Sequence, residues 1–260
     1  MLPEQRKRRL LELVSENGGA DVGYLATLLD VSPATIRRDL HRLEGHGHLR
    51  RTHGGAVLPH VSTAFEPHHR EKSGQNLEHK RAIARTAAKT VSSGEVVVLD
   101  SGSTTLALAH ELKRKRDLTV ITSDLTIAME LCDTPGFNVI VLGGKVRPSL
   151  YSVVGPTVEQ TLTGLNANHS FLGADAVSLK AGLTNASLEE VPVKRLMMFC
   201  GQRTVLLADN TKFGKVSLAK VTDLTDFDEI ITDEGLDAKI GEQYVDAGVH
   251  LTTASEECNE

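Results

Sequence analysis

Residues 32–40 read SPATIRRDL, and their order sets out the opening turns of a helix. Ser32 is a good N-cap, and Pro33 fits the first helical position, where no backbone N–H is needed. Ile36, Leu40 and Leu43 follow at i, i+4 and i+7 and make one apolar stripe. At 100° per residue Ala34, Arg38 and His41 fall opposite that stripe, with Thr35, Arg37 and Arg42 on its flanks. Small side chains at the tip permit close approach to base edges, and guanidiniums reach guanines or phosphates. An ordinary amphipathic helix with a solvated basic face has the same pattern, so the neighbouring sequence decides.

Upstream, Leu10, Leu11, Leu13 and Val14 predict a helix ending near Asn17-Gly18-Gly19. Arg6, Lys7, Arg8 and Arg9 would lie in its first turn, where the helix dipole disfavours cations. A nearby phosphate would compensate them; a frayed basic terminus explains them equally. Ala20–Val22 reads as a short strand, and Tyr24, Leu25, Leu28 and Leu29 mark a second, short helix. Asp30-Val31 then connects to the capped helix. Helix, short turn, capped helix is the helix-turn-helix pattern, whose second helix lies in the major groove.

The capped helix should end at Gly45 or Gly47. In HLRRTHGGAVL, residues 48–58, Leu49 and Ala56-Val57-Leu58 predict two strands turning at His53-Gly54-Gly55. This is a β-wing whose Arg50, Arg51 and His53 would meet phosphate or the adjacent minor groove. For His53 alone a plain hairpin explains as much. His41, His46, His48 and His53 lack an acidic or Cys partner at ligand spacing, so no metal is expected.

Composition bounds the remainder. The chain has 260 residues, 40% apolar and 24% charged, with no Trp and three scattered cysteines. These values fit a globular two-domain protein in a reducing cytoplasm. No apolar run reaches 18 residues, and the N-terminus lacks the apolar stretch of a signal peptide, so no membrane association is expected. Residues 1–60 carry 9 Lys+Arg against 7 Asp+Glu, and the remaining residues carry 20 against 27. A mildly basic head on an acidic body suggests that only the head meets nucleic acid.

Residues 59–76 lack periodicity and read as a linker, in which His68-His69 are solvated loop residues. A helix returns over Leu77–Val91, with Ile83, Ala84, Ala87, Ala88 and Val91 on one face. Val96–Leu99 is a continuous apolar run, as in a buried parallel strand, and ends in DSGSTT, residues 100–105. A helix follows. Strand, Gly/hydroxyl loop and helix N-terminus together make a ready anion site; a ligand-free Ser/Thr helix cap has the same sequence. The loop lacks the Gly-Lys of a Walker A motif, and no GxGxxG is present, so no nucleotide cofactor is expected.

Strand-like segments at Leu118–Thr122, Val139–Leu142, Ser170–Leu172, Val205–Ala208 and Ile230-Ile231 alternate with helical ones at Leu125–Leu131, Thr157–Leu165 and Val193–Phe199. The alternation predicts a doubly wound, mostly parallel α/β sheet. Ligands of such sheets bind at the carboxyl ends of strands. Asp100, Thr122-Ser123-Asp124, Gly143, Asp175 and Asp209 all sit at such ends, with Lys212 just beyond.

TIRRDL at residues 35–40 and LEGHGHLRRTHGGA at residues 43–56 resemble the DeoR family of bacterial transcription regulators. DSGSTT, LGGKVR, FLGAD, EVPVKR and LLADNTKFG resemble motifs along that family's sensor domain, so the resemblance runs from about Leu2 to Asp237. It implies a winged helix-turn-helix at residues 1–58, a linker at 59–76, a sensor resembling ribose-5-phosphate isomerase at 77–252 and a tail at 253–260. It also implies binding of operator DNA, usually as a repressor of sugar-metabolism genes, under control of a phosphorylated sugar. Carried over residue by residue, Ser101, Gly102, Ser103, Thr104 and Thr105 would hold the phosphate. Asp100 and Asp175 would take sugar hydroxyls, and Lys194 and Lys212 are candidate anion partners.

Asp39 belongs to the motif. Because phosphate repels a carboxylate, it is expected to brace Arg38 or Arg42 rather than touch DNA. The isomerase pattern places an acid three residues before the Asp of GAD and another just after it, where this chain has Leu172 and Ala176. Aldose–ketose interconversion needs a placed base, so a catalytically active isomerase-like enzyme with an accessory DNA module is the lesser reading, with Glu189 and Glu190 as candidate substitutes. A head this small reading a two-fold operator implies a homodimer or homotetramer. The sugar, the operator sequence and the direction of the response are not readable from the chain.

Overall fold

The computed structural model describes residues 3–16, 19–45, 49–52, 54–57, 72 and 74–255. The expectations for His46, His48, His53, Leu58, most of the linker including His68-His69, and the end of the tail fall outside the described residues. The chain divides into two compact units, Met1–Ser62 and Thr63–Glu260.

In the first unit, helices α1 (Pro3–Glu16), α2 (Val22–Leu28) and α3 (Pro33–Gly45) pack with a three-stranded antiparallel sheet. The strands are β1 (Gly19–Asp21), β2 (Arg50–Arg51) and β3 (Gly55–Val57), in the order β1-β3-β2. Leu10, Leu13, Val14, Leu25, Leu29, Ile36, Leu40, Leu43 and Leu49 form one buried cluster. The i, i+4, i+7 stripe of α3 therefore faces the core as its spacing requires, and each fully buried Leu or Ile contributes about 1.5–3 kcal/mol. Val22 starts α2 rather than ending β1, because the Asp21 carboxylate caps the helix by accepting from Tyr24 N at 2.9 Å. Leu49 is drawn into the core, and the wing strand begins one residue later at Arg50.

One expectation for the head needs correction. Asp39 reaches across to another helix rather than to Arg38: it accepts from Arg6 Nε on α1 at 2.6 Å. Asp39 lies on the buried face beside Leu40 and Leu43, within reach of this long cation from a neighbouring helix. Arg6 is correspondingly part-buried, whereas Arg8 and Arg9 stay exposed beside Glu12. Helix α2 forms where Tyr24, Leu25 and Leu28 mark it, with Leu29 as its C-cap. Tyr24 and Leu28 are 49% and 48% exposed, and the buried face consists of Val22, Leu25 and Ala26.

The second unit opens with α4 (Leu77–Lys89), which buries Ile83, Ala84, Ala87 and Ala88. Its centre is a seven-stranded, wholly parallel sheet of β4 (Val96–Leu99), β5 (Thr119–Thr122), β6 (Asn138–Val141), β9 (Ala167–Gly173), β12 (Gly201–Leu207), β14 (Glu229–Asp233) and β15 (Leu251–Ala254). Their spatial order is β15-β14-β12-β9-β4-β5-β6. Val97 and Leu99 pack on one face with α4, α5 (Ser103–Leu112) and α6 (Leu125–Leu131). Val98 points to the other face, to α7 (Pro156–Leu162) and α8 (Glu190–Cys200), as the two-residue period of a strand dictates.

The hairpin β7 (Lys145–Val146) and β8 (Val153–Val154), the antiparallel trio β10 (Ala176–Ser178), β11 (Gly182–Asn185) and β13 (Ala219–Thr222), and helix α9 (Ala238–Asp246) complete the unit. From β4 the chain winds outward through β5 to β6, then returns to the opposite side of β4 as β9. The reversal creates a crevice at the carboxyl ends of β4 and β9, the ligand position of open α/β sheets. No helix among the described residues is long and apolar enough to cross a membrane.

Candidate functional site

In the head, Ser32 Oγ accepts from Thr35 N at 3.2 Å and lies 2.9 Å from the Thr35 hydroxyl, which fixes the start of α3. Ser32, Pro33, Ala34, Arg37, Arg38, His41 and Arg42 are exposed and Thr35 half-buried, so the expected reading residues share the outer face. Arg50 and Arg51 lie on β2. Arg51 is not a loose cation. Its backbone N–H donates to Glu44 Oε1 at 2.9 Å, and its guanidinium lies 3.3 Å from His41 Nδ1. The wing is thereby tied to the same helix face.

In the body, Ser101, Gly102, Ser103 and Thr104 from the β4–α5 loop meet Gly173, Ala174 and Asp175 from the end of β9 across the crevice. Lys194 and Glu190 of α8, Asn185 of β11 and Lys212 complete the wall, as do Lys72 and Lys80. The cleft encloses about 560 Å³ including its open mouth. Gly102 has φ +152°, a conformation that residues with a Cβ avoid, so the loop can bend into the helix. No side chain caps α5, and its first N–H groups lie at the positive end of the dipole.

Not every expected residue faces the cleft in this way. Thr105 is fully buried and donates its hydroxyl to Gly102 O at 2.9 Å. Ser101 Oγ and Gly102 N both donate to Asp124 Oδ2, at 2.9 and 3.2 Å. Asp100 lies behind the wall, where Gly173 N donates to it at 2.9 Å and the buried Lys194 ammonium contacts it. Lys194 also donates to Gly173 O at 3.1 Å. Burial works against its charge, but Asp100, Glu190 and Asp175 outweigh burial and raise its pKa; burial raises the Asp100 carboxyl too.

Asp175 accepts from Lys72 Nζ at 2.9 Å and from Ala186 N at 3.1 Å. Burial opposes its ionisation, but the Lys72 ammonium prevails and holds the carboxyl at about 2. Lys80 is pushed down to about 8, chiefly by burial, with Lys212 and Lys72 adding repulsion and Asp209 opposing. Burial also lowers Lys212. The lining thus gathers four lysines against two carboxylates under partial desolvation, a surplus of positive charge at the surface of the cleft that Asp100 and Asp209 offset from behind.

Glu190 takes bonds from Ser152 Oγ at 2.8 Å and Asn185 Nδ2 at 2.9 Å, and pairs with Arg147. Burial would raise its pKa, but Lys194 and Arg147 overcome that and lower it. Its occupied, weakly basic carboxylate is a poor proton acceptor. Glu189 is exposed on Lys145 at 2.6 Å. Leu172 and Ala176 are both buried and non-ionisable.

Sequence reasoning missed Lys72, Lys80, Asn185 and the wall role of Glu190. Lys80 left one legible sign: it falls on the same helical face as Ile83, Ala84 and Ala87, an odd place for an ammonium without a partner. Lys72 sits in an aperiodic stretch that carried no sign. Among the described residues no cluster of His, Cys, Asp and Glu is arranged to hold a metal.

Residues 6–62 match the DeoR-like helix-turn-helix domain, and residues 75–234 the DeoR C terminal sensor domain. The chain is 39% identical over 249 residues to the HTH-type transcriptional regulator GlpR of Haloferax volcanii, covering 96% of this chain and 97% of that one. It is 30% identical to the glycerol-3-phosphate regulon repressor of Escherichia coli K12, covering 90% and 92%. Among solved structures it is similar to ribose 5-phosphate isomerase A from Methanocaldococcus jannaschii, with 18% identity, a TM-score of 0.39, and 54% and 55% of the two chains covered.

Proposed function

This chain belongs to the DeoR family of transcriptional regulators, and we propose that it is a repressor released from its operator, or fastened to it, by a phosphorylated sugar in the body's cleft. The observation that carries this reading is the meeting of Lys72, Lys80, Lys194 and Lys212 at the uncapped start of α5, on the switch point of the sheet. The dianion of a phosphate monoester fits that charge surplus. Asp175 and Asn185, on the opposite wall, offer acceptors to the hydroxyls of the same molecule. Asp100 serves through Lys194, which it holds in position.

In the head, the proposed contacts are the exposed face of α3 for bases and Arg50 and Arg51 for the backbone. Two heads on a two-fold operator require a homodimer or larger, acting in the cytoplasm. The chain is a regulator and not an enzyme, as its family membership and the unsuitable Glu190 agree. A thermal-shift panel of phosphorylated sugars, followed by gel shift of the upstream DNA with each hit, tests the proposal. A ligand at 100 times its Kd stabilises by about 2.7 kcal/mol. A panel with no stabilising member, or hits that leave operator affinity unchanged, would reject it.

A further inference from the structure

The last residues of the stretch read as a linker are built into the cleft. Lys72 Nζ bonds Asp175 Oδ1 at 2.9 Å. Lys80 Nζ donates to the carbonyls of Lys72 and Gln75, at 2.5 and 2.7 Å. Asn76, held at φ +52°, donates from Nδ2 to Asp209 Oδ1 at 3.3 Å. These tethers use the groups that line the cleft or set the charge of those lining it. An ammonium has three protons, and Lys80 spends two on this backbone, leaving one for the cleft.

We propose that Lys72 and residues 74–76 form a strap whose grip on the body is tightened by an anion in the cleft, so that occupancy registers on the stretch leading to the DNA-reading head. The proposal rests on the reading of the cleft as a phosphorylated-ligand site. Burial weakens the Lys80 ammonium most, and Lys212 and Lys72 repel it against the attraction of Asp209. A dianion seated among the three removes that repulsion and strengthens the ammonium that holds the strap carbonyls. By linkage, a docked strap raises ligand affinity by the factor by which the ligand favours docking. In sequence the strap directly follows residues 63–71, at the start of the second unit, so it is the first described part of the body that a signal to the head must cross.

Hydrogen–deuterium exchange on the full chain tests this, with inorganic phosphate at tens of millimolar against chloride at equal ionic strength. Phosphate is expected to raise the melting temperature, protect the amides of Ser103–Thr105 and slow exchange over residues 75–80 by about fivefold or more. Without phosphate, Lys72→Met is expected to speed exchange over residues 75–80, and it should remove most of the slowing that phosphate produces. If phosphate protects Ser103–Thr105 but residues 75–80 are unaffected or faster, the strap proposal is overturned while the cleft reading stands. Unchanged strap exchange in Lys72→Met overturns it as well. If phosphate neither raises the melting temperature nor protects Ser103–Thr105, the cleft reading falls and the strap with it.

Discussion

Arg6 on α1 and Asp39 on α3 form an ion pair of 2.6 Å, with side chains only 12% and 3% exposed. The acidic residue of TIRRDL therefore holds two helices together. Asp39→Ala strands a part-buried guanidinium and should cost about 1–3 kcal/mol. Chemical denaturation followed by exchange in α1 and α3 measures this loss. Arg6→Met with Asp39→Leu should recover most of it, because an apolar pair of similar volume replaces the ion pair. Full stability in Asp39→Ala, with operator binding lost, would place Asp39 on the DNA instead.

Gly55 and Gly54 stand side by side in the wing but differ in their surroundings. A Cβ on Gly55 would lie 2.1 Å from the backbone O of Ala20, whereas one on Gly54 would meet nothing within 4 Å. Gly55→Ala must push β3 off β1, an overpacking cost of about 1–3 kcal/mol or more. Gly54→Ala should stay within about 0.5 kcal/mol of the parent. Thermal unfolding of the two variants is the check. Equal stability would mean that β1 yields without cost.

These two positions show which parts of the fold the sequence exposes. The core stripe of α3, the buried strand over Val96–Leu99 and the helix over residues 125–131 were legible because they rest on local apolar patterns. The partner of Asp39 was not, since a pairing across 33 residues leaves no local trace. The short strands β7, β8, β10, β11 and β13 also escaped notice, being too brief for a two-residue period to stand out. In the site, the β4–α5 loop was legible from its glycine and hydroxyls. Lys72 was not, because a side chain reaching back from an aperiodic stretch to Asp175 is set by tertiary packing alone.

Arg38 and Arg51 should separate two kinds of DNA contact. Arg38 is exposed on the outer face of α3, so Arg38→Ala should lose about 1–3 kcal/mol on the operator and relax sequence choice at one position. Arg51 is anchored to Glu44 and His41 beside that face. Arg51→Ala should weaken operator and unrelated DNA alike and reduce the salt slope by about one. Gel-shift titrations at several salt concentrations distinguish the two. An Arg38→Ala loss equal on all sequences would remove it from base reading.

Lys194 in the wall of the cleft and Asp100 behind it form a buried pair, with side chains 5% and 4% exposed. Lys194→Met leaves the Asp100 carboxylate buried with Gly173 N as its remaining donor, and should cost about 3–5 kcal/mol in urea unfolding. Asp100→Asn with Lys194→Met removes both charges and should restore much of that stability. Ligand affinity should stay low in the double variant if Lys194 also attracts the anion. Affinity equal to the parent's would confine the pair to a structural role.

Lys80 should make anion binding sensitive to alkali. Its pKa of about 8 lies below the ordinary 10.5, so between those values the unfolded chain holds a proton that the folded chain has released. By itself this group makes stability rise with pH across that window, because the cost of a buried charge is lifted. Ligand binding has the opposite sign. A phosphate dianion favours the charged lysine, so binding above about pH 8 takes up a proton and affinity falls by up to tenfold per pH unit. The groups acting on Lys80 are Asp209, Lys212 and Lys72, and Lys212, also lowered by burial, adds to the decline. Lys80→Arg keeps its charge at every accessible pH and should shallow the decline without abolishing it. Calorimetric titration with the best phosphorylated ligand, in two buffers of different ionisation enthalpy, reads both affinity and proton uptake. Constant affinity from about pH 8 to about pH 10 with no proton uptake would show that Lys80 does not face the bound anion.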